Sequence, residues 1–321
     1  MATEKTIVQI DASSLKKSHC FLRFYRQVVQ GYKTRELFND IEYGSAWHIF
    51  RQVLAETSDP DGAVKAAQDY FNQKTIDPHF IFKKSKEFLN VAHLTLTCKT
   101  YLDKFGVSKS FGNFEPLVVN GKPLVEQTFA IPFYSNEQVD ILLVGTIDEI
   151  GKLDGGCYGI GDDKTTSQWD REGFLEQHSM SGQLLFYLYA IQWLGKEYPD
   201  SIFNEMSKNR IGCFINGVFL SAKGTTEFQR SRIFFFEEER LIELEITLEY
   251  LKNRIIYASR LGGLTREGIY NDTCHGKFNL PCEFIGSCKA PTVDAREKVL
   301  SNSFIQAPYE PLMFRKYDKT K

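Results

Sequence analysis

Asp148, Asp162 and Lys164 are side chains of types, and at spacings, that can act together. They lie in residues 144–169, VGTIDEIGKLDGGCYGIGDDKTTSQW. Residues 142–150 are apolar and β-branched and carry Asp148. Lys152, Asp154, Gly155 and Gly156 supply a turn, and residues 158–162 form a second short strand that runs into Asp163 and Lys164. A strand, a Gly/Asp turn and a strand predict a β-hairpin. Antiparallel pairing would set Asp148 and Asp162 side by side near one end. Lys164 is two residues past Asp162 and points to the same face. Two carboxylates and an ammonium then line one small cup. Carboxylate oxygens suit Mg²⁺ or Mn²⁺, and the lysine suits an attacking water or a phosphate oxygen. That inventory serves metal-assisted cleavage of a phosphodiester. The same residues also fit a solvated acidic turn.

The elements that must position this hairpin follow from periodicity. Residues 1–10 read as a short strand or a lead-in, with Asp11, Ser13 and Ser14 as helix-cap candidates. Residues 13–32 read as one amphipathic helix with a basic face through Lys16, Lys17, Arg23 and Arg26. Residues 42–56 form a second helix, with Ser45 as cap candidate and His48 in its first turn. Helices over 62–73 and 84–105 complete a helical first third. Alternation then predicts strands over 125–133, 138–150 and 158–164. Residues 179–194, SMSGQLLFYLYAIQWL, are apolar nearly all round and read as a buried helix. Gln183 and Tyr187 share one of its faces. Strands over 210–220 and 227–236 and a helix over 237–261 follow. The order implies an α/β fold with a mixed sheet flanked by helices. Three regions are expected within one integrated unit: a helical 1–110, a core 111–263, and a cysteine-bearing loop and tail 264–321.

Composition limits the alternatives. The chain has 321 residues, 42% hydrophobic and 14% aromatic, ample for a packed core. Its net charge of −2 is not that of a basic coat protein, so nucleic-acid contact would use local patches. No apolar run approaches a membrane span, and the N-terminus has no hydrophobic signal core. The expectation is a cytoplasmic protein of prokaryotic or phage type, not secreted and without a membrane partner. No Walker A motif is present, so no helicase engine is expected in this chain.

Seven cysteines are present, and three cluster in NDTCHGKFNLPCEFIGSCKAP as Cys274, Cys282 and Cys288. A Gly/Pro/Asn-rich loop with three thiols suits a soft metal, and tetrahedral sites take four ligands. Cys20 and His275 are the candidates for the fourth. Cys20 would staple the first helix to this loop. Spacing alone chooses neither iron–sulfur nor zinc, and free thiols remain the plain reading.

Together these stretches resemble one family. SSLKKSHCFLRFY, GSAWHIF, GTIDEI, GIGDDKTT and QLLFY, in that order and followed by the cysteine cluster, are similar to the RecB-like nucleases of the PD-(D/E)XK superfamily, near the Cas4 and AddB-type iron–sulfur exonucleases. The motifs span residues 13 to 288. The resemblance implies a restriction-endonuclease-like α/β core and a metal-dependent deoxyribonuclease acting on single-stranded DNA or free ends. It implies His48, Asp148, Asp162 and the Asp163 carbonyl as ligands of Mg²⁺ or Mn²⁺. Lys164 would activate the attacking water, and Gln183 and Tyr187 would shape the catalytic wall. Glu126 would add a carboxylate behind the ligands. Cys20, Cys274, Cys282 and Cys288 would bind a 4Fe–4S cluster. The family usually places Cys-x-x-Cys before the last cysteine, and here the first gap is seven residues, which leaves zinc as the alternative. A helicase, recombinase or integration complex is the implied partner. Competing readings are a catalytically idle relative that binds nucleic acid or a protein, and a zinc-stabilised structural module.

Overall fold

The sheet is organised by its longest strand. In a computed structural model that describes residues 5–107, 111, 114–261, 274, 282–309 and 311, the seven strands are β1 (Thr6–Ile10), β2 (Phe114–Pro116), β3 (Val125–Ser135), β4 (Val139–Leu153), β5 (Tyr158–Thr166), β6 (Gly212–Leu220) and β7 (Thr226–Arg230). The order is β1-β4-β5-β6-β7, and β2 and β3 also pair with β4. β1 runs parallel to β4 and β5 parallel to β6, whereas β4–β5 and β6–β7 are antiparallel. The fold is therefore mixed α/β, as the alternation of patterns in the sequence implies. Gly155 and Gly156 have φ of +84° and +83°, the left-handed conformation a tight hairpin demands and only glycine adopts freely.

The chain resolves into two compact units that are discontinuous in sequence. The first takes its described residues from 1–35, 129–145 and 239–314. Here Thr6 to Ile10 lie opposite Val139 to Leu143. Asp11 and Ser14 cap α1 (Ala12–Lys17) reciprocally: Ser14 N donates to Asp11 Oδ1 at 2.7 Å, and Asp11 N donates to Ser14 Oγ at 2.9 Å. The single helix expected over 13–32 is broken. Cys20 has extended backbone at the head of α2 (Phe21–Phe24), and a π-turn over Tyr25–Val29 follows. The cause is local: Ser18 N bonds Leu15 O and Cys20 N bonds Lys17 O, which ends α1 in tight turns. α9 (Glu238–Leu261), α10 (Ile285–Lys289) and α11 (Val293–Ser303) also belong here. A small core of Phe284, Leu300 and Phe304 packs with Tyr32, Cys282 and Cys288.

The second unit takes its described residues from 36–128 and 146–238. α3 (Asn39–Thr57) starts three residues before the expected helix. Ser45 sits inside it, bonding back to Ile41 O rather than capping. Ser58 ends α3 with φ +53°, and Asp59 caps α4 (Pro60–Thr75) by accepting from Gly62 N at 3.0 Å. The helix expected over 84–105 is shortened to α5 (Val91–Phe105), because Asn90 accepts from both Ala92 N and His93 N and fixes the start there. Likewise β7 stops at Arg230 instead of continuing to 236. α6 (Arg171–Glu176), α7 (Gly182–Glu197) and α8 (Ile202–Ser207) follow β5. Trp47, Phe50, Phe71, Leu94, Tyr101, Phe111, Val218 and Phe228 are part of one buried cluster of α3, α4, α5 and the sheet. Fully burying each aliphatic or aromatic side chain of this kind contributes about 1.5–3 kcal/mol. Among the described residues no helix is long and apolar enough to cross a membrane.

Candidate metal and catalytic site

β4 and β5 pair from Lys152 opposite Tyr158 to Glu149 opposite Gly161. One residue further along each strand come Asp148 and Asp162, and Asp163 N donates to Asp148 Oδ2 at 2.7 Å. The hairpin sets Asp148 and Asp162 at adjoining positions of paired strands, but among the described residues the group of ligand atoms lying within 4.8 Å of one another includes Asp148 and not Asp162. Asp162 is 1% exposed. Its Oδ1 accepts from Gln183 Nε2 at 2.8 Å, and its Oδ2 lies 2.6 Å from Lys164 Nζ. Gln183, in the first turn of α7, also donates to the Tyr187 hydroxyl at 2.6 Å. Burial pushes the Asp162 carboxyl above its usual range; Lys164 opposes that rise and Asp148 adds to it.

The helix α3 delivers His48 to the same place. His48 Nδ1 is hydrogen-bonded to Glu126 Oε1 at 2.8 Å and stands 3.6 Å from Asp148 Oδ1. His48, Glu126 and Asp148 each offer a ligand atom, all within 4.8 Å of one another. One imidazole nitrogen and two buried carboxylates suit a hard divalent cation. Glu126 is therefore closer to the centre than its sequence context suggests. It is buried on β3 with φ +50°, a strained conformation for a residue with a Cβ.

Asp163 divides its groups. Its amide faces Asp148, while its carboxylate turns the opposite way, as strand alternation dictates. There it accepts from Trp47 Nε1 at 3.1 Å, Arg51 Nε at 3.2 Å and Asn216 Nδ2 at 2.9 Å. Arg51 also pairs with Glu149, and Asn216 donates to Glu149 Oε2 at 3.2 Å and accepts from Arg230 Nε at 3.1 Å. Burial, with Asp163 working against it and Arg51 reinforcing it, takes Arg230 down to about 10. Sequence reasoning missed this network. Its only signals were an arginine on the apolar stripe of α3 and Asn216 inside the apolar strand GCFINGVFL.

Cys20, Cys274, Cys282 and Cys288 lie apart from this hairpin in sequence and belong to the first unit. Cys282 N donates to Cys274 O at 2.9 Å. Burial raises the Cys274 thiol, and Cys20 and Cys288 are near enough to raise it further. Cys282 is pushed up to about 11, by burial first, with Cys20 contributing. Arg26 donates to Cys288 Sγ at 3.6 Å. Among the described residues, no group of three or more of these thiols has its sulfurs within 4.8 Å of one another. His275 lies outside the described residues.

The model of the PD-(D/E)XK nuclease superfamily matches residues 13–275. The chain belongs to that superfamily. Its mixed sheet with flanking helices is consistent with the superfamily's core. No curated protein matches by sequence. Among solved structures, the chain is similar to a protein of Eubacterium rectale named "Putative exonuclease", with 11% identity, TM-score 0.43, and 88% of this chain and 94% of that chain covered. It is also similar to SSO0001, with 13% identity, TM-score 0.23, and 74% and 84% covered. Membership makes the chain a nuclease, a hydrolase acting on nucleic acid. Nucleases of this superfamily use divalent metals, and His48, Glu126 and Asp148 could hold one.

Proposed function

We propose that the chain is a metal-dependent DNA nuclease acting at free ends or on single strands, in the manner of the RecB-like and Cas4-type enzymes. The observation that carries this reading is the convergence of His48, Glu126 and Asp148 beside an Asp162–Lys164 pair on one strand. His48, Asp148, Asp162 and the backbone carbonyl of Asp163 are the proposed ligands, with Glu126 completing the acidic wall. When bound, a divalent cation supplies an acidified water and positive charge for the scissile phosphate. Lys164 Nζ sits where it can orient the attacking water and offset charge developing on the phosphate oxygens. Gln183 fixes the Asp162 carboxylate through Oδ1, and Tyr187 fixes Gln183 in turn. The printed name of the Eubacterium rectale protein agrees with an exonuclease but carries no weight at that level of likeness.

The test is an assay on end-labelled single- and double-stranded DNA with Mg²⁺ and with Mn²⁺. Cleavage is expected with either metal, absent with EDTA, and the label pattern reports end or internal attack. Intact substrate under all conditions sinks the enzyme reading and leaves a module that only binds nucleic acid or a partner protein. A helicase, recombinase or integration complex would then be sought as that partner.

Cys20, Cys274, Cys282 and Cys288 are the proposed holders of a 4Fe–4S cluster, with zinc as the alternative occupant. The support for this reading is the sequence clustering of three cysteines with Cys20 as the candidate fourth, and both occupants take thiolates. Protein purified without oxygen is expected to be brown, with about four irons per chain. Colourless protein carrying one zinc would replace the cluster with a structural zinc site.

A further inference from the structure

Resting on the nuclease reading, we infer that Trp169 is a stacking platform for an unpaired base of the substrate strand, a few nucleotides from the scissile phosphate. Trp169 is 93% exposed, the most exposed of the large apolar side chains among the described residues. An indole left in water forgoes the stabilisation its burial would give. The backbone around it is nonetheless held. Gln168 N bonds Thr166 Oγ1 at 3.1 Å, and Asp170 caps α6 by accepting from Gly173 N at 3.0 Å. Arg171 then pairs with Glu227 at 2.5 Å and stands 5.9 Å from the Phe219 ring centroid. The loop is fixed on both sides of a side chain that is presented outward.

Its place ties it to the catalytic strand. Lys164 pairs with Gly217 and Thr166 with Phe219, so β5 and β6 end together. At that edge lies a cavity of about 370 Å³, lined by Trp169 and Phe219 and by the polar groups of Ser85, Gln168, Ser221 and Thr225. Trp169 is five positions past Lys164, a reach of at most ~18 Å. Of the lining charges, Arg171 and Glu227 pair with each other, and Lys84 and Lys223, exposed and next in sequence to the lining residues Ser85 and Ala222, are further cations close in the chain. A nucleic-acid strand whose phosphate reaches Lys164 therefore has an aromatic face, hydrogen-bonding groups and lysines along its path. A base within a duplex has both faces covered by its neighbours. Only an unpaired base, in a single strand or a frayed end, offers its face to the indole.

The experiment measures binding of an oligothymidylate of about 15 nucleotides in EDTA, a length within the site sizes of single-strand binders. The proteins are the wild type, Trp169→Ala and Trp169→Phe, with a blunt duplex as the comparison ligand. The oligomer should quench wild-type tryptophan emission. Affinity should fall roughly 5- to 150-fold in Trp169→Ala, the ratio one stacked base is worth, and largely return in Trp169→Phe. With Mn²⁺ added, KM on the single strand should rise in Trp169→Ala by more than kcat falls. Affinity within about twofold of wild type in Trp169→Ala, or an equal loss for the blunt duplex, would overturn the stacking role. If the wild type cleaves DNA while Trp169→Ala binds normally, the platform alone fails. If the wild type neither binds nor cleaves, the nuclease reading fails with it.

Discussion

Asp162→Asn is expected to lower DNA cleavage by at least ~10³-fold and, in EDTA, to melt higher than the wild type. The two effects have one cause. Asp162 is buried beside Asp148, and burial raises its carboxyl above the ordinary range even with Lys164 at 2.6 Å. An asparagine keeps the oxygen that accepts from Gln183 but carries no charge to desolvate. A group whose folded pKa is raised favours folding when protonated, and that contribution fades as pH rises through the folded pKa. The gap in Tm between variant and wild type should therefore be widest near neutral pH and close as pH falls through the raised Asp162 titration. Thermal melts across pH in EDTA, beside the end-label assay in Mn²⁺, read both halves. Lys164→Ala should lose cleavage to a similar extent without the gain in Tm, since Lys164 is the charge that offsets Asp162. Retained cleavage in both variants would sink the assignment of the hairpin as the active site.

The parts of this site that follow short-range rules were legible in the sequence. Strand alternation alone places Asp162 and Lys164 on one face, and the Gly155–Gly156 turn aligns Asp148 with them. What the sequence concealed are long-range polar choices. Glu126 owes its place to a left-handed backbone inside a strand, which no side-chain pattern announces. Residues 13–32 carry a continuous apolar stripe, yet the chain turns at Cys20, because tight backbone bonds at Lys17 and Leu15 end the helix early. Arg51 looks like a misplaced cation on the apolar face of α3 until Asp163, 112 residues away, is seen against it.

Arg51→Ala should therefore be the most destabilising single change near the site, costing about 3–5 kcal/mol. The guanidinium is buried and bonded to Asp163, Glu149 and Tyr101, with its centre 4.7 Å from the Tyr101 ring centroid. Burial opposes its charge, but Tyr101, Asp163 and Glu126 outweigh that and hold its pKa up. Removing it leaves two carboxylates joined through Asn216, with Trp47 still donating to Asp163 and with Arg230, itself depressed by burial, bonded to Asn216. Arg51→Met should behave like Arg51→Ala, since neither side chain carries the charge that Asp163 and Glu149 face. Denaturant titrations of both variants check this. The consequence reaches the catalytic face through the backbone: Glu149 adjoins Asp148, and Asp163 lies between Asp162 and Lys164. On the proposed reading, a shift of either anchor would turn its neighbours away from the metal and the phosphate. Residual folded Arg51→Ala protein should thus show a reduced kcat with KM little changed, because the lysine and the ligands, not the DNA path, have lost their support. An Arg51→Ala protein as stable as the wild type would show the network to be dispensable, and the hairpin would then need another explanation for its register.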